Sequence, residues 1–493
     1  MGPVTPAPEP QSRPAVSTLR TMSLITDLRD LLGHDRVLDE PVERYLYGKD
    51  ASIDRGEVAV VVFPRTAQET AGVVRIANEH NIPIVPRGAG TGLAGGAVPV
   101  GSSLVVAMTQ MNRIHSIDPI NRTAWVEPGV INLDLSKDTT PLGYHYAPDP
   151  SSQTVCTIGG NIANNSGGPH CLAEGTTVDH ILELELVTAD GKIVRLGGPS
   201  PDPIGLDLRG VTVGSEGTVG IVTGALVKLT PNPPETRTLL ATFDSVTDAA
   251  ATVSGIIARG VVPAALEMMD RLMTIAVERF VGAGFDTEAT ATLLAEVTGH
   301  ASAVDAELEV VREVAAEHHA TAIRVAKDDA ERALLWLGRK SAFGAVAQMA
   351  PDYYLHDTVV PRTQLAAVME KIYAIAEQYD LTMMNVFHAG DGNLHPLMAF
   401  DAREPGMLDR VHAAAKALVE VCVEHGGMLS GEHGVALEKR DLMPLVFNEN
   451  DLDAQARIRE AFDSDGRFNP GKMLPEGSRC FDFGRPVPEG AWV

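Results

Sequence analysis

The sequence is poor in cysteine, in positive charge and in long hydrophobic runs, and each shortage excludes a class of protein. None of the 4 cysteines belongs to a Cys-x-x-Cys pair, so neither an iron–sulfur cluster nor a cysteine-type zinc site is encoded; they are Cys156, Cys171, Cys422 and Cys480. The net charge of −25 argues against a nucleic-acid-binding protein, because nucleic acid favours basic surfaces. No apolar run approaches the ~18 residues that span a membrane.

The first residues are rich in proline and polar side chains and contain no hydrophobic segment of the signal-peptide kind. We therefore expect residues 1–21 to be a disordered tail and the protein to be cytoplasmic. The negative charge does not exclude a small anionic substrate, since a local cluster of Arg or Lys can attract one.

The composition, with 44% hydrophobic and 21% charged residues, is that of a soluble globular protein, and 493 residues predict two or three domains. The run Val58–Phe63 predicts a buried strand, and Thr66 with Glu69 predicts a capping box at the start of a helix over Ala67–His80. The clearest linker is Pro231–Glu235. Beyond it, alanine-rich helical patterns alternate with strand-like runs, which predicts an α+β second domain.

One stretch, Pro86–Gly96, has five glycines in eleven residues and is flanked by strand-like segments. Glycine lets the main chain approach a ligand and adopt positive φ, and successive bare N–H groups form an anion site suited to a diphosphate. Gly90–Gly95 matches Gly-x-Gly-x-x-Gly, but Pro99 and Gly101 follow where a dinucleotide-binding motif requires a helix. We predict a diphosphate loop of another kind, with Arg87 as a neighbouring cation; a glycine-rich turn without a ligand is the alternative.

A second dense stretch, Pro148–Ser152 followed by Thr157–Gly168, is built almost entirely of small and amide-bearing residues. Its amides and hydroxyls can line a flat polar heterocycle and a polyol chain, and the alternative is a surface loop. A third small-residue turn, Gly214–Ile221, leads into a strand.

Two polar motifs follow the linker, His388–His395 and Ser430–Gly434. The histidines are seven residues apart in a glycine-containing loop, so the motif is not the helical HExxH zinc arrangement. His388, His395 and Glu432 have the side chains for a divalent metal with an open position, and a bound metal makes a substrate hydroxyl more acidic. His433 would then be a general base. For each histidine taken alone, a structural hydrogen bond is the favoured interpretation, whereas the four residues in two glycine-rich motifs together favour a functional site.

The three small-residue segments resemble the flavin domain of the vanillyl-alcohol oxidase/p-cresol methylhydroxylase type. The His388–His395, Gly431–Gly434 and Phe468–Lys472 segments resemble the FAD-linked oxidase C-terminal domain of that family. The resemblance covers about residues 22 to 480. Further segments are similar to the glycolate-oxidising branch: Gly338–Lys340, Pro351–Tyr354, Asn469–Lys472 and Arg479-Cys480.

This resemblance implies an α+β protein with a two-subdomain FAD-binding domain over residues 22–232. A substrate (cap) domain with an antiparallel sheet would follow over 236–478, its last segment, about 462–478, returning to the FAD domain. The cofactor would be FAD, held without a covalent bond because residues 86–96 contain no histidine. The implied FAD-binding residues are Arg87, Gly88, Ala89, Gly90, Thr91, Gly92, Gly95, Gly96, Pro148, Asp149, Ser151, Ser152, Gly159, Gly160, Asn161, Asn164, Asn165, Ser166, Gly214, Glu216, Gly217, Ile221 and Asn469.

The resemblance also implies the chemistry. A divalent metal, zinc or manganese, would be held by His388, His395 and Glu432, with His433 as the base. Asn393 would contact the substrate and Arg339 would hold its carboxylate. The reaction would be oxidation of a 2-hydroxy acid to the 2-oxo acid by hydride transfer to flavin.

Two departures from the family pattern bear on this prediction. Relatives carry a basic-aromatic pair where this chain has Ala173-Glu174. Relatives that act on 2-hydroxyglutarate use an extra Lys, whereas Pro351–Thr358 contains no Lys or Arg and Phe343 is expected beside the site. Because an uncompensated second carboxylate is costly to bury, we predict a short monocarboxylate, glycolate or D-lactate.

Several alternatives remain at this stage. The substrate could be D-2-hydroxyglutarate, or the chain could be a metal-dependent hydrolase whose glycine loop binds a nucleotide. A third alternative is a flavin subunit that is active only within a complex. We expect electrons to pass to a quinone-linked acceptor or to an iron–sulfur partner subunit, which could place the protein at the inner membrane. A homo-oligomer is equally compatible with the sequence.

Overall fold

The computed structural model describes residues 15–202 and 204–475. Most of the predicted tail, together with Arg479 and Cys480, therefore lies outside the described residues. The helices are α1 (Ala15–Leu32), α2 (Pro41–Tyr47), α3 (Ala67–His80), α4 (Asn132–Thr139), α5 (Ile158–Asn164), α6 (Cys171–Glu174), α7 (Leu208–Thr212), α8 (Val246–Ala258), α9 (Arg271–Val281), α10 (Ala301–Glu317), α11 (Asp329–Lys340), α12 (Ala342–Val346), α13 (Leu365–Gln378), α14 (Met407–Glu424) and α15 (Glu449–Phe462). The tail prediction is wrong for residues 15–21, which belong to α1.

The strands are β1 (Val37–Leu38), β2 (Val58–Val62), β3 (Ile84–Arg87), β4 (Ser103–Ala107), β5 (Ile114–Asp118), β6 (Thr123–Val126), β7 (Tyr144–His145), β8 (Ile181–Val187), β9 (Ile193–Gly197), β10 (Ile221–Lys228), β11 (Thr230–Pro231), β12 (Glu235–Phe243), β13 (Ala265–Asp270), β14 (Ala291–Gly299), β15 (Ala322–Val325), β16 (Asp352–Leu355), β17 (Thr358–Val359), β18 (Thr382–His388), β19 (Asn393–Leu394) and β20 (Pro396–Phe400). None of the helices in the described part of the chain is long and apolar enough to cross a bilayer.

The first sheet has the order β1-β2-β4-β3, with β2, β4 and β3 parallel. Its strands are buried on both faces, which explains the unbroken valine run of β2. Thr66 caps α3 as predicted, accepting the Glu69 N–H at 3.1 Å. The reciprocal half of the capping box is wrong, because the Glu69 carboxylate accepts the Arg65 N–H and pairs with Arg36.

The second sheet is antiparallel, with the order β5-β6-β10-β8-β9. The small-residue segment beneath it is more structured than the sequence suggested, since Ile158–Asn164 forms helix α5 with Thr157 as its N-cap. Its two isoleucines are fully buried in the core shared with this sheet. The segment is therefore not a surface loop.

Residues after the linker form a nine-stranded sheet whose pairings are antiparallel, in the main order β15-β12-β14-β13-β18-β19-β17. One face packs against α8, α10, α13 and α14, and the other against α9, α11 and α12. The alanine-rich helical patterns predicted beyond the linker are confirmed as helices, among them α8, α10 and α13.

The chain returns to the first sheet after α15. Ile84 of β3 donates its N–H to Arg467 O at 2.8 Å, and Asn469 donates to Ile84 O at 2.7 Å. Phe468 between them is fully buried in the core of that sheet. This contact places Asn469 and Lys472 behind the glycine loop that leaves β3.

Candidate active site

A cavity of about 410 Å³ lies where the three small-residue segments meet the histidine motifs. It is lined by most residues predicted to bind the cofactor: Arg87, Gly88, Ala89, Gly90, Thr91, Gly92, Gly96, Ser151, Ser152, Gly159, Gly160, Asn161, Asn164, Ser166, Glu216, Gly217 and Ile221. His395, Glu432 and His433 form another part of the same wall, together with Phe343 and Tyr353. The remaining predicted cofactor residues do not line it: Gly95, Pro148, Asp149, Asn165, Gly214 and Asn469.

The glycine loop is shaped by close packing, and no helix follows it. A Cβ on Gly88 would lie 2.5 Å from Thr157 Oγ1, and a Cβ on Gly90, whose φ is +75°, would overlap the Arg87 guanidinium. Arg87 is 9% exposed and donates to Lys49 O at 2.8 Å. Arg87, the predicted cation, is thus present, but its guanidinium packs against Gly90 of the loop and donates to the main chain at Lys49.

Asn469 and Lys472 hold the glycine loop by hydrogen bonds to its carbonyl groups. Asn469 Nδ2 donates to Gly96 O at 2.8 Å, and Lys472 Nζ donates to Gly95 O at 2.7 Å. Burial lowers the pKa of the Lys472 ammonium to about 8. Carbonyl groups on the rear of the loop are therefore satisfied by these two side chains.

Asp149, which was predicted to bind the cofactor, does not line the cavity and is held in ion pairs. Its carboxylate pairs with His170 Nδ1 at 2.9 Å and with Lys340 Nζ at 3.2 Å. His170 Nε2 reaches Glu296 at 3.4 Å, and Trp336 Nε1 donates to Glu296 at 2.6 Å. Asp149 therefore ties the Pro148–Ser152 segment to β14 and α11, and both of these elements lie beyond the linker.

The ion pairs of His170 with Asp149 and Glu296 make the stability of the fold depend on pH. Burial opposes the charged ring of His170, but Asp149 and Glu296 outweigh burial and raise its pKa to about 10. A group whose pKa is raised on folding stabilises the fold below its ordinary pKa, and that stabilisation is lost as the pH rises through the folded value. We expect the melting temperature to fall between about pH 7 and pH 10 more steeply than in a His170→Gln variant. Parallel slopes in thermal unfolding across that range would contradict this expectation.

The histidine cluster is compact. His388 ends β18 and His395 follows β19, so the two rings come from a tight strand turn rather than from the open loop that was predicted. Glu432 Oε1 lies 3.2 Å from His388 Nε2, 3.3 Å from His395 Nε2 and 3.7 Å from His433 Nε2. The rings of His395 and His433 stack with centroids 4.8 Å apart.

The pKa values of Glu432, His395 and His388 are shifted far from their usual values. Although burial opposes ionisation of Glu432, His388, His395 and His433 lower the pKa of its carboxyl to about 2. Burial lowers the pKa of His395 to about 4. Burial also disfavours the charged ring of His388, but Glu267 and Glu432 outweigh it and hold that pKa well above its usual value. Glu432 is therefore anionic and His395 neutral near pH 7.

Arg339 lies behind this cluster and not on the cavity wall. It is 2% exposed, and its Nη2 pairs with Glu267 Oε2 at 2.5 Å. Glu267 Oε1 in turn lies 2.8 Å from His388 Nδ1, which fixes the ring so that Nε2 faces Glu432. Glu267 was missed from the sequence, because an isolated glutamate in an apolar strand gives no pattern.

Asp357 was also not predicted from the sequence. The motif around His433 is held together by hydrogen bonds to its carboxylate. Its fully buried carboxylate accepts the Ser430 hydroxyl at 2.5 Å and the His433 N–H at 3.1 Å, along with the N–H groups of Gly431 and Glu432. Lys439 Nζ lies 3.5 Å from it. The small residues of Ser430–Gly434 were the available signal, since such a turn needs an acceptor at its centre.

Asn393 lies at the same junction. With its side-chain amide assigned by hydrogen bonding, the nitrogen donates to Asp357 Oδ1 at 2.7 Å and to Thr358 O at 3.1 Å. Asn393 lines a second cavity of about 290 Å³, on whose wall His388 and Glu432 also lie. Glu432 lines both cavities, whereas Asn393 does not line the first.

Comparisons with known proteins agree with this architecture. Residues 58–197 match the FAD binding domain family, and residues 232–473 match the family of FAD linked oxidases, C-terminal domain. Glycolate oxidase subunit GlcD of Escherichia coli (strain K12) is 43% identical over 463 residues, which are 94% of this chain and 93% of that protein. The chain belongs to the FAD-linked oxidase family. This confirms the resemblance seen in the sequence motifs.

Other FAD-linked oxidase relatives extend the comparison. Glycolate oxidase subunit GlcD of Bacillus subtilis (strain 168) is 39% identical over 93% of this chain and 98% of that protein. A D-lactate dehydrogenase of Anaerostipes hadrus is 31% identical over 88% of this chain and 93% of that protein. Among solved structures, p-cresol methylhydroxylase with substrate bound has a TM-score of 0.80 at 19% identity, covering 92% of this chain and 97% of that one. That structural likeness confirms the predicted fold class.

The cavity of this FAD-linked oxidase fits the FAD that the family binds. Small residues expose the main chain along its wall, and a side chain at Gly88 would collide with Thr157. The buried Oε2 of Glu216, a residue of the cavity wall, has no hydrogen-bond partner among the described residues. Unpaired buried acceptors suit a ligand that carries hydroxyl and N–H donors. Ala173-Glu174, where relatives have a basic-aromatic pair, does not line the cavity.

Proposed function

We propose that this protein is an FAD-dependent dehydrogenase that oxidises a short 2-hydroxy acid, glycolate or D-lactate, to the 2-oxo acid. One observation supports this above all: a single cavity is lined both by the cofactor segments and by His395, Glu432 and His433. A substrate held at the histidines would therefore lie directly against the cofactor. The names of the relatives, glycolate oxidase subunit and D-lactate dehydrogenase, point to the same acids.

In this proposal, the bound FAD, held noncovalently, supplies the hydride acceptor. His433 removes the substrate hydroxyl proton at Nε2, and its main chain is fixed for that task by Asp357. The role predicted for Arg339, holding the substrate carboxylate, stays a prediction. Its Nε has no hydrogen-bond acceptor among the described residues, but the side chain is buried behind the cavity wall with Nη2 on Glu267.

The size of the acid follows from two further residues of the cavity wall and from the charges near them. Phe343 and Tyr353 line the cavity, and residues 351–358 contain no Lys or Arg to neutralise a second carboxylate. We expect turnover with glycolate or D-lactate to exceed that with D-2-hydroxyglutarate by at least roughly 10²-fold, a typical cost of leaving a buried charge unpaired. Steady-state assays with an artificial electron-accepting dye measure this ratio. Preferred turnover of D-2-hydroxyglutarate would contradict the assignment.

A divalent metal, zinc or manganese, is the second part of the proposal. The ligand atoms of His388, His395 and Glu432 lie within 4.8 Å of one another. The anionic Glu432 and the neutral His395 are suitable donors, and metal binding would displace the proton that Glu267 and Glu432 favour on His388. We expect about one metal ion per chain by elemental analysis, lost in a His388→Ala variant. His300→Ala, at an exposed histidine, is the control. Unchanged metal content in His388→Ala would exclude this ligand set.

Electrons would leave through a non-NAD acceptor, either quinone-linked or an iron–sulfur partner subunit. Two relatives carry the word subunit in their names, which supports a multi-subunit assembly. Dye-linked activity of the isolated chain shows whether a partner subunit is needed for turnover. Turnover by the isolated chain would show that no partner is needed for the chemistry, and its absence with intact flavin reduction would support the partner.

A further inference from the structure

The segment that carries His433 is attached to the cofactor loops at several points. Asn164 Nδ2 donates to His433 O at 2.8 Å. Glu216 Oε1 accepts the N–H groups of Val435 at 2.7 Å and Ala436 at 3.2 Å. The N–H groups of Leu437 and Glu438 both donate to Ala94 O. Residues 433–438, which we call the base segment, are therefore hydrogen-bonded to elements that line or adjoin the cofactor cavity.

Glu216 is the unusual member of this set. It was predicted to bind the cofactor, and it does line the cavity, but one of its oxygens is used by the base segment. The residue is 5% exposed and has a left-handed backbone with φ of 52°. A non-glycine residue in that conformation with a buried carboxylate is costly to keep, which suggests a function.

The second oxygen of this carboxylate, Oε2, has no hydrogen-bond partner among the described residues. The carboxylate therefore has one oxygen committed to the base segment and one free at a residue of the cavity wall. Gly434 completes the fit, because a Cβ there would lie 2.6 Å from Glu216 Oε1. The contact between Glu216 and the base segment leaves no room for a side chain.

We propose that Glu216 is a positioning residue that links the cofactor cavity to the placement of His433. Its Oε1 holds the Val435 and Ala436 N–H groups, and its free Oε2 accepts a hydrogen bond from a hydroxyl or N–H group of the bound cofactor. The inference rests on the proposed role of His433 as the base. Beyond that role, we expect binding of the cofactor to order the base segment.

Two substitutions separate this role from general packing. Glu216→Gln keeps a carbonyl oxygen that can accept both N–H groups, whereas Glu216→Ala removes it. The matched control is Glu278→Ala, because Glu278 also accepts two backbone N–H groups, those of Gly284 and Phe285, away from the cavity. All variants are prepared as the full chain and saturated with FAD.

The first readout is hydrogen exchange of the base segment with and without FAD. We expect FAD to slow exchange at Val435 and Ala436 in the wild type. In Glu216→Gln the two amides stay protected by the remaining oxygen, but FAD should add less protection, because the amide nitrogen cannot accept a hydrogen bond from the cofactor. In Glu216→Ala these amides should exchange roughly ten-fold faster or more even with FAD bound, while Glu278→Ala behaves as wild type. Equal FAD-dependent protection in Glu216→Ala would overturn the proposal.

The second readout is anaerobic flavin reduction at saturating acid. Glu216→Ala should be slower by roughly ten-fold or more, equivalent to about 1.4 kcal/mol in the barrier, with Glu216→Gln within about three-fold of wild type. A Glu216→Gln variant as slow as Glu216→Ala would overturn the proposal, since the acceptor would then not be what matters. If no acid reduces even the wild type, the proposed function fails, and the exchange data still decide whether Glu216 holds the segment.

Discussion

Replacing His433 by alanine is expected to slow anaerobic flavin reduction by roughly 10²–10⁴-fold, the usual contribution of a positioned general base. His433 Nε2 lies 3.7 Å from Glu432 and its ring stacks on His395, so the imidazole is fixed beside the cluster on the cavity wall. FAD affinity should change little, because the cofactor segments are held by Asn469, Lys472 and the first sheet. Stopped-flow absorbance measures the rate, and flavin fluorescence measures the affinity.

His300→Ala serves as the control for His433→Ala, since His300 is exposed at the start of α10 and its side chain makes no capping bond. Reduction of His433→Ala at close to the wild-type rate would remove His433 from the mechanism. A parallel loss of FAD binding would point instead to a structural role. Rate loss with FAD binding retained is the outcome that supports the base.

The largest expected effect on stability is at Asp357. This carboxylate is fully buried and accepts the Ser430 hydroxyl, three backbone N–H groups and the Lys439 ammonium. The pKa of Asp357 is held well below its usual range by Lys439, His433 and His395 in spite of burial. Asp357→Ala should lower the free energy of unfolding by about 3–5 kcal/mol, because it leaves a buried ammonium without its carboxylate.

A double-mutant cycle tests that cause. Lys439 is 0% exposed, so removing its charge as well, in Asp357→Ala with Lys439→Met, should recover part of the lost stability. Denaturant-induced unfolding of the two single variants and the double variant gives the coupling. Strictly additive losses would show that the ion pair is not the source of the effect. A stable Asp357→Ala protein would contradict the central role of the carboxylate.

Sequence patterns were informative where the chemistry is local. The glycine loop of residues 86–96, the Asn-rich segment around Asn161 and the motifs containing His388, His395 and Glu432 are each short, so their residue types alone show what they can bind. The buried strands and long helices followed from hydrophobic periodicity for the same reason. These elements are where the structure agrees with the sequence prediction most closely.

The contacts that the sequence did not predict join side chains that are distant in the chain. Glu216 meets Val435 across 219 positions, and Asp357 meets Ser430 across 73. Asp149 was predicted as a cofactor residue, but Lys340, 191 positions away, takes its carboxylate. Arg339 was predicted at the substrate, yet Glu267 holds it behind the cavity wall. No local pattern encodes such pairs, because only the tertiary fold brings them together.

The measurement that tests the central proposal most directly is anaerobic mixing of the FAD- and metal-loaded protein with glycolate, D-lactate and D-2-hydroxyglutarate, followed by flavin absorbance. We predict that glycolate or D-lactate bleaches the flavin, that D-2-hydroxyglutarate does so far more slowly, and that His433→Ala abolishes the fast phase. Bleaching by none of the three acids in a fully loaded protein would contradict the proposed dehydrogenase.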